Sequence, residues 1–558
     1  MPPLSPLRQV AFTLSSTYKF FAAAKKVGII GEDSSPKILA GALPTLFRYR
    51  FTTARELEQS TKLAPERNAL IDDDGALTYR ELSTQAKTLA RWMVDRKQKR
   101  GFDTLRIGVM ARNGRGAILP MAAKGYAGAE LYMLNVGSSP EQLAGIFREN
   151  GVNVLFIDDE FADRLPADTS GLTVVWAHTS SDHSGEEIEE TMQGIVERGA
   201  EGLPALPRFP RHGSIVLMSS GTTGVPKGIH RNEPILPFVV GGYLNTVPWR
   251  TKMNLQVTAS MFHSWGWSVV NIALAARNTV ITQRVFDPEN VYRQIEQYGC
   301  EGLISSPIFL KKMLEVPDNK AWDTSSLAFI ASAGNALTPV LVERMHERFG
   351  PILANFYGST ELALAACATA EMVAEQPTVA GTIPPGTILR IYDDEGNEVP
   401  RGETGRIFLT NETTLSRYSD PNMKIVKHNG LVEIGDLGYF DEKGYLHVQS
   451  RNDDMIIVGG ENVHPASVVE TLERMPGIYE VHAGGVDDAE TFKRIAVWVV
   501  RSDDEAGRAL TAGAIRTWVN DNLADHSVPR DVNFVDSLPR NATGKVVARH
   551  LPPSTRED

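Results

Sequence analysis

The sequence predicts an α/β protein: a large N-terminal domain of two parallel-sheet subdomains plus a small β-rich subdomain, followed by a smaller α+β C-terminal domain. Three observations predict it. The chain has 558 residues, more than one hydrophobic core holds, because cores stop growing near roughly 250–300 residues. Apolar runs with strand character alternate with helical periodicity from Thr78 to Trp176, which implies parallel sheets covered on both faces. From Gly381-Thr382-Ile383-Pro384-Pro385-Gly386-Thr387 through Leu389 to Gly396 and Gly402 to Leu409, the pattern alternates and turns like antiparallel hairpins.

At the N-terminus, Leu7 to Ile30 mixes Val10, Phe12, Leu14, Phe20, Phe21 and Val27 with Arg8, Lys19, Lys25 and Lys26. It lacks the unbroken apolar core of a secretory signal, and nothing in the chain offers the ~18 uncharged apolar residues that span a bilayer. Two readings stand: a helix docked on the domain, or a basic amphipathic helix touching a membrane surface. Thr78-Tyr79-Arg80-Glu81 has capping-box spacing, and Leu82, Ala86, Leu89, Ala90 and Met93 follow at helical intervals, so an amphipathic helix is predicted there. Leu105 to Met110, Val152 to Ile157 and Val174 to Trp176 read as strands, and Ile118 to Ala127 as a helix. Ser180 to Gly202, with Glu186-Glu187-Ile188-Glu189-Glu190, reads as a solvated surface helix. Beyond residue 465, helix and strand alternate again, through Ala466 to Met475, Tyr479 to Gly485, Arg494 to Arg501, Ala514 to Leu523 and Asp531 to Val535.

Charge and cysteine usage narrow the class. A net charge of −11 argues against a general nucleic-acid binder but leaves room for a local basic pocket. Cys300 and Cys367 support neither a disulfide framework nor a metal-ligand spacing, so a reducing cytoplasm is the expected setting.

The chemistry concentrates in a few stretches. Ile215-Val216-Leu217-Met218 reads as a buried strand and runs into Ser219-Ser220-Gly221-Thr222-Thr223-Gly224-Val225-Pro226-Lys227-Gly228. Such a loop offers backbone amides, hydroxyls and one ammonium to a polyphosphate, and its glycines let the backbone close round the anion. It is not a Walker loop, since Gly228 follows the lysine and Ile229-His230 continue as an extended segment; an ordinary surface turn is the alternative. Downstream come Met261-Phe262-His263-Ser264-Trp265-Gly266-Trp267, then Phe329 to Leu337 with the small-residue turn Gly334-Asn335-Ala336. Asn355-Phe356-Tyr357-Gly358-Ser359-Thr360-Glu361 and Gly435-Asp436-Leu437-Gly438 follow. The last are Arg451-Asn452-Asp453 with Gly459-Gly460, and Pro539-Arg540-Asn541-Ala542-Thr543-Gly544-Lys545. Each has a plain alternative: a packed core histidine, a helix cap at Thr360, a hairpin turn at Asp441 to Gly444, an exposed terminal lysine.

Taken together and in this order, these motifs resemble the adenylate-forming superfamily of acyl- and aryl-CoA synthetases, luciferases and peptide-synthetase adenylation domains, over roughly residues 55 to 550. The wording of the later motifs is most similar to bacterial long-chain fatty-acid CoA ligases. The resemblance implies an N-terminal helical extension over 1–55, an AMP-binding domain over 56–452, and a mobile C-terminal domain over 453–558 hinged at Asp453. It implies that Ser219, Ser220, Gly221, Thr222, Thr223, Gly224 and Lys227 hold ATP phosphates, and that Gly334, Asn335, Ala336, Phe356, Tyr357 and Gly358 bound the adenine. Asp436 and Arg451 would hold the ribose. Thr360 would contact the α-phosphate, Glu361 would ligate Mg²⁺, His263 and Trp265 would border the acyl pocket, Lys545 would swing over the α-phosphate, and Gly459 and Gly460 would flank the pantetheine arm of coenzyme A. The sequence departs from the family wording at Ile434, Asn335 and Ser450.

The implied function is ATP-dependent ligation of a medium- or long-chain fatty acid to coenzyme A, with release of AMP and pyrophosphate. An aryl-acid CoA ligase and a fatty acyl-AMP ligase that loads a carrier protein are the near alternatives, and a catalytically silent acyl or nucleotide binder is the alternative from another class. Expected partners are the acid and coenzyme A, not nucleic acid, in the cytoplasm; peripheral membrane contact and a homodimer are left open.

Overall fold

A computed structural model describes residues 5–31, 44–180, 190–219, 226–231, 233–317, 322–451, 456–458, 461–488, 492–541 and 544–554. Two parallel-rich sheets form most of the N-terminal part. One runs in the spatial order Arg417–Tyr418, Lys227–Arg231, Ile215–Ser219, Glu130–Met133, Arg106–Met110, Val154–Asp158, Thr173–His178. The other runs Ala363–Ala368, Leu353–Ser359, Phe329–Ala333, Gly302–Ser305, Asn254–Val257, Thr279–Ile281, Asn68–Asp72, Gly75–Thr78. Antiparallel neighbours occur only toward their ends, at the pairs of Gly75–Thr78, Ala363–Ala368 and Lys227–Arg231. The central strands are buried on both faces, as in Val154–Asp158, which is why they read as continuous Val/Ile/Leu runs.

The capping box at Thr78 is made in full. The Thr78 side chain accepts from the Glu81 amide at 3.2 Å, while Glu81 Oε2 accepts from the Thr78 amide at 2.8 Å. The helix Tyr79–Arg100 then buries Leu82, Ala86, Leu89, Ala90 and Met93 and ends at Gly101, whose φ of 69° is open to glycine at little cost.

The hairpins after residue 379 form an antiparallel sheet, Val379–Gly381, Leu446–Arg451, Leu431–Phe440, Gly405–Thr410, Ile388–Tyr392. The C-terminal region pairs Ile478–Asp488 with Phe492–Arg501 and adds Asp531–Phe534 in parallel. The helices Pro465–Glu473 and Ala512–Asn522 supply Val468, Leu472, Ile515 and Val519 to its separate core.

The N-terminal reading resolves into one helix, Pro6–Lys26, that does two things. One face docks: Ser16 Oγ accepts from the Gly386 amide at 3.2 Å, Phe20 meets Phe238 edge-on, and Ala23 and Ala24 are buried. The opposite face carries Leu7, Val10, Leu14 and Tyr18, which are 85%, 59%, 66% and 76% exposed. In the acidic segment after Ser180, a short helix Met192–Arg198 capped by Thr191 is observed, and Glu186 to Glu189 lie outside the described residues. Glu190 is not on a solvated face: it accepts from Trp92 Nε1 at 3.3 Å and pairs with Arg96 at 3.4 Å, because the neighbouring long helix offers both donors.

Candidate active site

At the predicted phosphate loop, the strand Ile215–Ser219 pairs antiparallel with Lys227–Arg231, with Ser219 opposite Lys227. Ser220, Gly221, Thr222, Thr223 and Gly224 lie outside the described residues, as does the side chain of Ser219; Lys227 is half-buried. Phe329–Ala333 and Leu353–Ser359 run parallel with Ala333 beside Phe356, which brings the turn Gly334-Asn335-Ala336 to the same end of the sheet as Tyr357. Gly334 has φ of 98° and open space around it, a left-handed backbone that a side chain would strain. The Tyr357 hydroxyl donates a short hydrogen bond to Asp436 Oδ2. Asp436 stands cross-strand from Arg451; the Arg451 side chain is outside the description. Two predicted nucleotide contacts, Tyr357 and Asp436, are thereby brought together from separate stretches of chain.

The strand Leu353–Ser359 turns sharply before Ala363–Ala368. At Gly358 any Cβ would lie 1.7 Å from the Ala363 carbonyl oxygen, so only glycine allows the return. Thr360 and Glu361 occupy that return, both half-buried, and the Glu361 carbonyl accepts from the Leu415 amide at 2.8 Å. No group of three or more His, Cys, Asp or Glu side chains suited to a metal occurs among the described residues. A single carboxylate at Glu361 fits Mg²⁺ rather than zinc, because Mg²⁺ takes few protein carboxylates and fills its shell with phosphate and water.

On the acyl side, His263 is the N-cap of the helix Ser264–Ala275. Gly266 is needed there because a Cβ would meet the Ser260 carbonyl oxygen at 2.4 Å. The Trp265 indole donates to the Ser305 carbonyl at 2.9 Å. Its ring lies 5.2 Å from Phe356 and 5.9 Å from Tyr243, and Tyr243 stacks on Phe356 at 5.3 Å. Phe356 thus faces Trp265 and Tyr243, while its neighbour Tyr357 faces Asp436, as alternation along a strand requires. Burial, helped by the charge of Lys545, pushes the His263 imidazole down to about 3, and its Nε2 has no hydrogen-bond partner. The ring is neutral at physiological pH.

The turn carrying Lys545 is closed by the Asn541 amide to the Lys545 carbonyl at 2.9 Å and the Lys545 amide to Asn541 Oδ1 at 2.9 Å. Gly544, at φ of 80°, packs so closely on Ile308 that a Cβ would stand 2.3 Å from its Cγ2. Nearby, the Lys311 ammonium donates to the Tyr479 carbonyl at 2.9 Å and pairs with Glu480 at 3.3 Å, and Glu480 also holds Arg540 at 2.9 Å. Asp453, Gly459 and Gly460 lie outside the described residues.

Sequence reasoning missed Tyr243 and Arg231. Arg231 is buried on the strand that follows the phosphate loop, and an arginine directly after an apolar-flanked histidine on a predicted strand was the available signal. Tyr243, in the short helix Val240–Thr246, carries none, because its stacking partners come from two distant stretches.

The sequence profile of AMP-binding enzymes matches residues 57–419, and that of the AMP-binding enzyme C-terminal domain matches residues 469–545. An indoleacetate–CoA ligase of Aromatoleum aromaticum is 30% identical over 71% of this chain and 77% of its own length. A putative acyl–CoA ligase of Bacillus subtilis, YdaB, is 25% identical over 86% of this chain and 94% of its own. Among solved structures, ATP-bound MatB from Rhodopseudomonas palustris superposes with a TM-score of 0.75 at 23% identity, over 89% of this chain and 98% of that one, a likeness of fold.

Proposed function

The chain belongs to the AMP-binding, adenylate-forming enzyme family, and from that premise we propose that it ligates a carboxylic acid to coenzyme A through an acyl-adenylate. The observation that carries this reading is the hydrogen bond of Tyr357 to Asp436, with the turn that carries Lys545 packed through Gly544 on Ile308 of the N-terminal part. A carboxylate oxygen of the acid attacks the α-phosphorus of ATP, the α–β phosphoanhydride bond breaks, and pyrophosphate leaves. Lys545 and the amides around Gly221 to Gly224 meet the charge that builds on the phosphoryl oxygens, and fixed positive charge there is the main catalytic lever. Glu361 would hold the Mg²⁺ that neutralises phosphate charge. Neutral His263 closes the acyl pocket without adding a competing cation. Rotation of the C-terminal domain about Asp453 then withdraws Lys545 and brings up Gly459 and Gly460 beside the pantetheine arm; the thiol attacks the acyl carbon and AMP departs.

For the acid, the motif wording points to a medium- or long-chain fatty acid. The stack of Tyr243, Trp265 and Phe356 beside His263 favours a second reading, a compact or aromatic acid, and the indoleacetate-specific relative is in keeping with it. Pyrophosphate release against acids from acetate through palmitate to benzoate and indoleacetate, with and without coenzyme A, tests both. Release that needs an acid, and coenzyme A for turnover, is expected; turnover with a carrier protein alone would make it an acyl-AMP ligase, and no release with any acid would leave a silent binder. No described helix is long and apolar enough to cross a membrane. The apolar stripe of Pro6–Lys26, on a helix with four basic and no acidic residues, supports peripheral contact with an anionic lipid surface.

A further inference from the structure

Behind the aromatic stack lies a cavity of about 30 Å³, walled by Val240, Tyr243, Trp267, Ser268 and Ile272, with Arg231 reaching it. Arg231 is 5% exposed. Its Nε donates to the Thr413 carbonyl at 3.2 Å and its guanidinium lies 5.9 Å from the Trp267 ring centre, but Nη1 has no hydrogen-bond partner. Nor does any carboxylate pair with it among the described residues. The adjacent Glu233 is engaged by Lys124 at 2.6 Å, and Glu412 accepts from the Val239 amide at 2.8 Å. A buried guanidinium with an unmade hydrogen bond, on which the nearby carboxylates Glu361 and Glu412 act without a close ion pair, calls for an explanation.

Its place supplies one. Ser268 lies five residues along the same helix from His263, about 7 Å at 1.5 Å per residue. Tyr243 walls the cavity and also stacks on Trp265 and Phe356, so the cavity lies against the far side of that stack. Its volume exceeds the ~10–15 Å³ that one water needs, so it has room for a small polar group.

We propose that Arg231 is a specificity-determining residue that receives a hydrogen-bond-accepting oxygen, a keto or a second carboxylate oxygen, at the far end of the acid substrate. This rests on the acid–CoA ligase reading above. The oxygen would complete the Nη1 hydrogen bond, and a charge-assisted bond in a desolvated site is stronger than a neutral one. Because the site's polar group is left unpaired by an acid lacking that oxygen, discrimination should be large.

The test measures kcat/KM for pyrophosphate release with straight-chain acids of four to ten carbons, each compared with its ω-carboxy and ω-oxo counterparts, in the parent and in Arg231→Met and Arg231→Lys. The parent is expected to favour one oxygenated series by ~10²-fold or more over the plain acids. Arg231→Met should erase that preference mainly through KM, and Arg231→Lys should keep part of it. A parent that prefers plain acids, or an Arg231→Met variant that loses both series equally with an unchanged preference, overturns the assignment and leaves the ligase reading intact. Release with no acid of any series overturns both.

Discussion

At the scale of single residues, the site divides charge from neutrality. Lys545 is exposed on a tight turn, so Lys545→Ala should leave the unfolding midpoint unchanged and lower the rate of adenylation ~10²–10³-fold, as loss of one electrostatic stabiliser does; single-turnover adenylate formation measures it. His263 behaves oppositely. Its pKa falls from 6.5 unfolded to about 3 folded, so the unfolded chain binds the extra proton between those values. Stability from this group is therefore complete above pH 6.5 and is lost as pH falls toward 3. Denaturant melts from pH 7 to pH 4 should show a shallower decline for His263→Gln than for the parent. The buried pair Lys124–Glu233 supplies a third expectation: Lys124→Met strands the Glu233 carboxylate and should cost about 3–5 kcal/mol, whereas Lys124→Met combined with Glu233→Leu should recover most of it. A urea titration of the three proteins decides.

At the scale of elements, the helix Pro6–Lys26 is the most informative. Its docked face ends on the short helix Val240–Thr246 and on Gly386, so deleting it would disturb the acyl side; substituting its outer face would not. Leu14→Glu with Tyr18→Glu is expected to abolish flotation with anionic vesicles while leaving kcat/KM for a soluble acid unchanged. If the parent does not float but sediments as a dimer that the same changes break, the stripe is a protein interface. This helix also shows where sequence reading stops. Its periodicity and basic residues were legible, but which face docks depended on Phe238 and Gly386, more than two hundred residues away. The capping box at Thr78, by contrast, was fully legible because its two hydrogen bonds join residues three apart.

At the scale of the molecule, the contact between the two domains is thin and polar where it can be followed: Lys311 with Tyr479 and Glu480, Ile308 with Gly544. Such contacts are compatible with the proposed rotation of the C-terminal domain, since small polar interfaces permit relative motion. Lys311→Ala is expected to slow adenylation by about tenfold at most, the worth of about 1.4 kcal/mol, and to leave thioester formation from supplied acyl-adenylate unaffected. Rapid-quench assays of the two half-reactions separate these outcomes.

The amino-acid sequence by itself determined the layered α/β class, which rests on periodicity, and the order of the motifs, whose family resemblance supplies the roles proposed for Tyr357, Asp436, His263 and Lys545. Only the tertiary structure decided that Phe356 turns toward Trp265 and Tyr243 while Tyr357 turns toward Asp436, and that Arg231 lies buried beside Tyr243 and Trp267 with a hydrogen bond unmade. Those facts depend on packing between strands and helices far apart in the chain. The physical reason is that a side chain's face is fixed by its own strand, but what that face meets is fixed by the sheet register and by the helices laid across it.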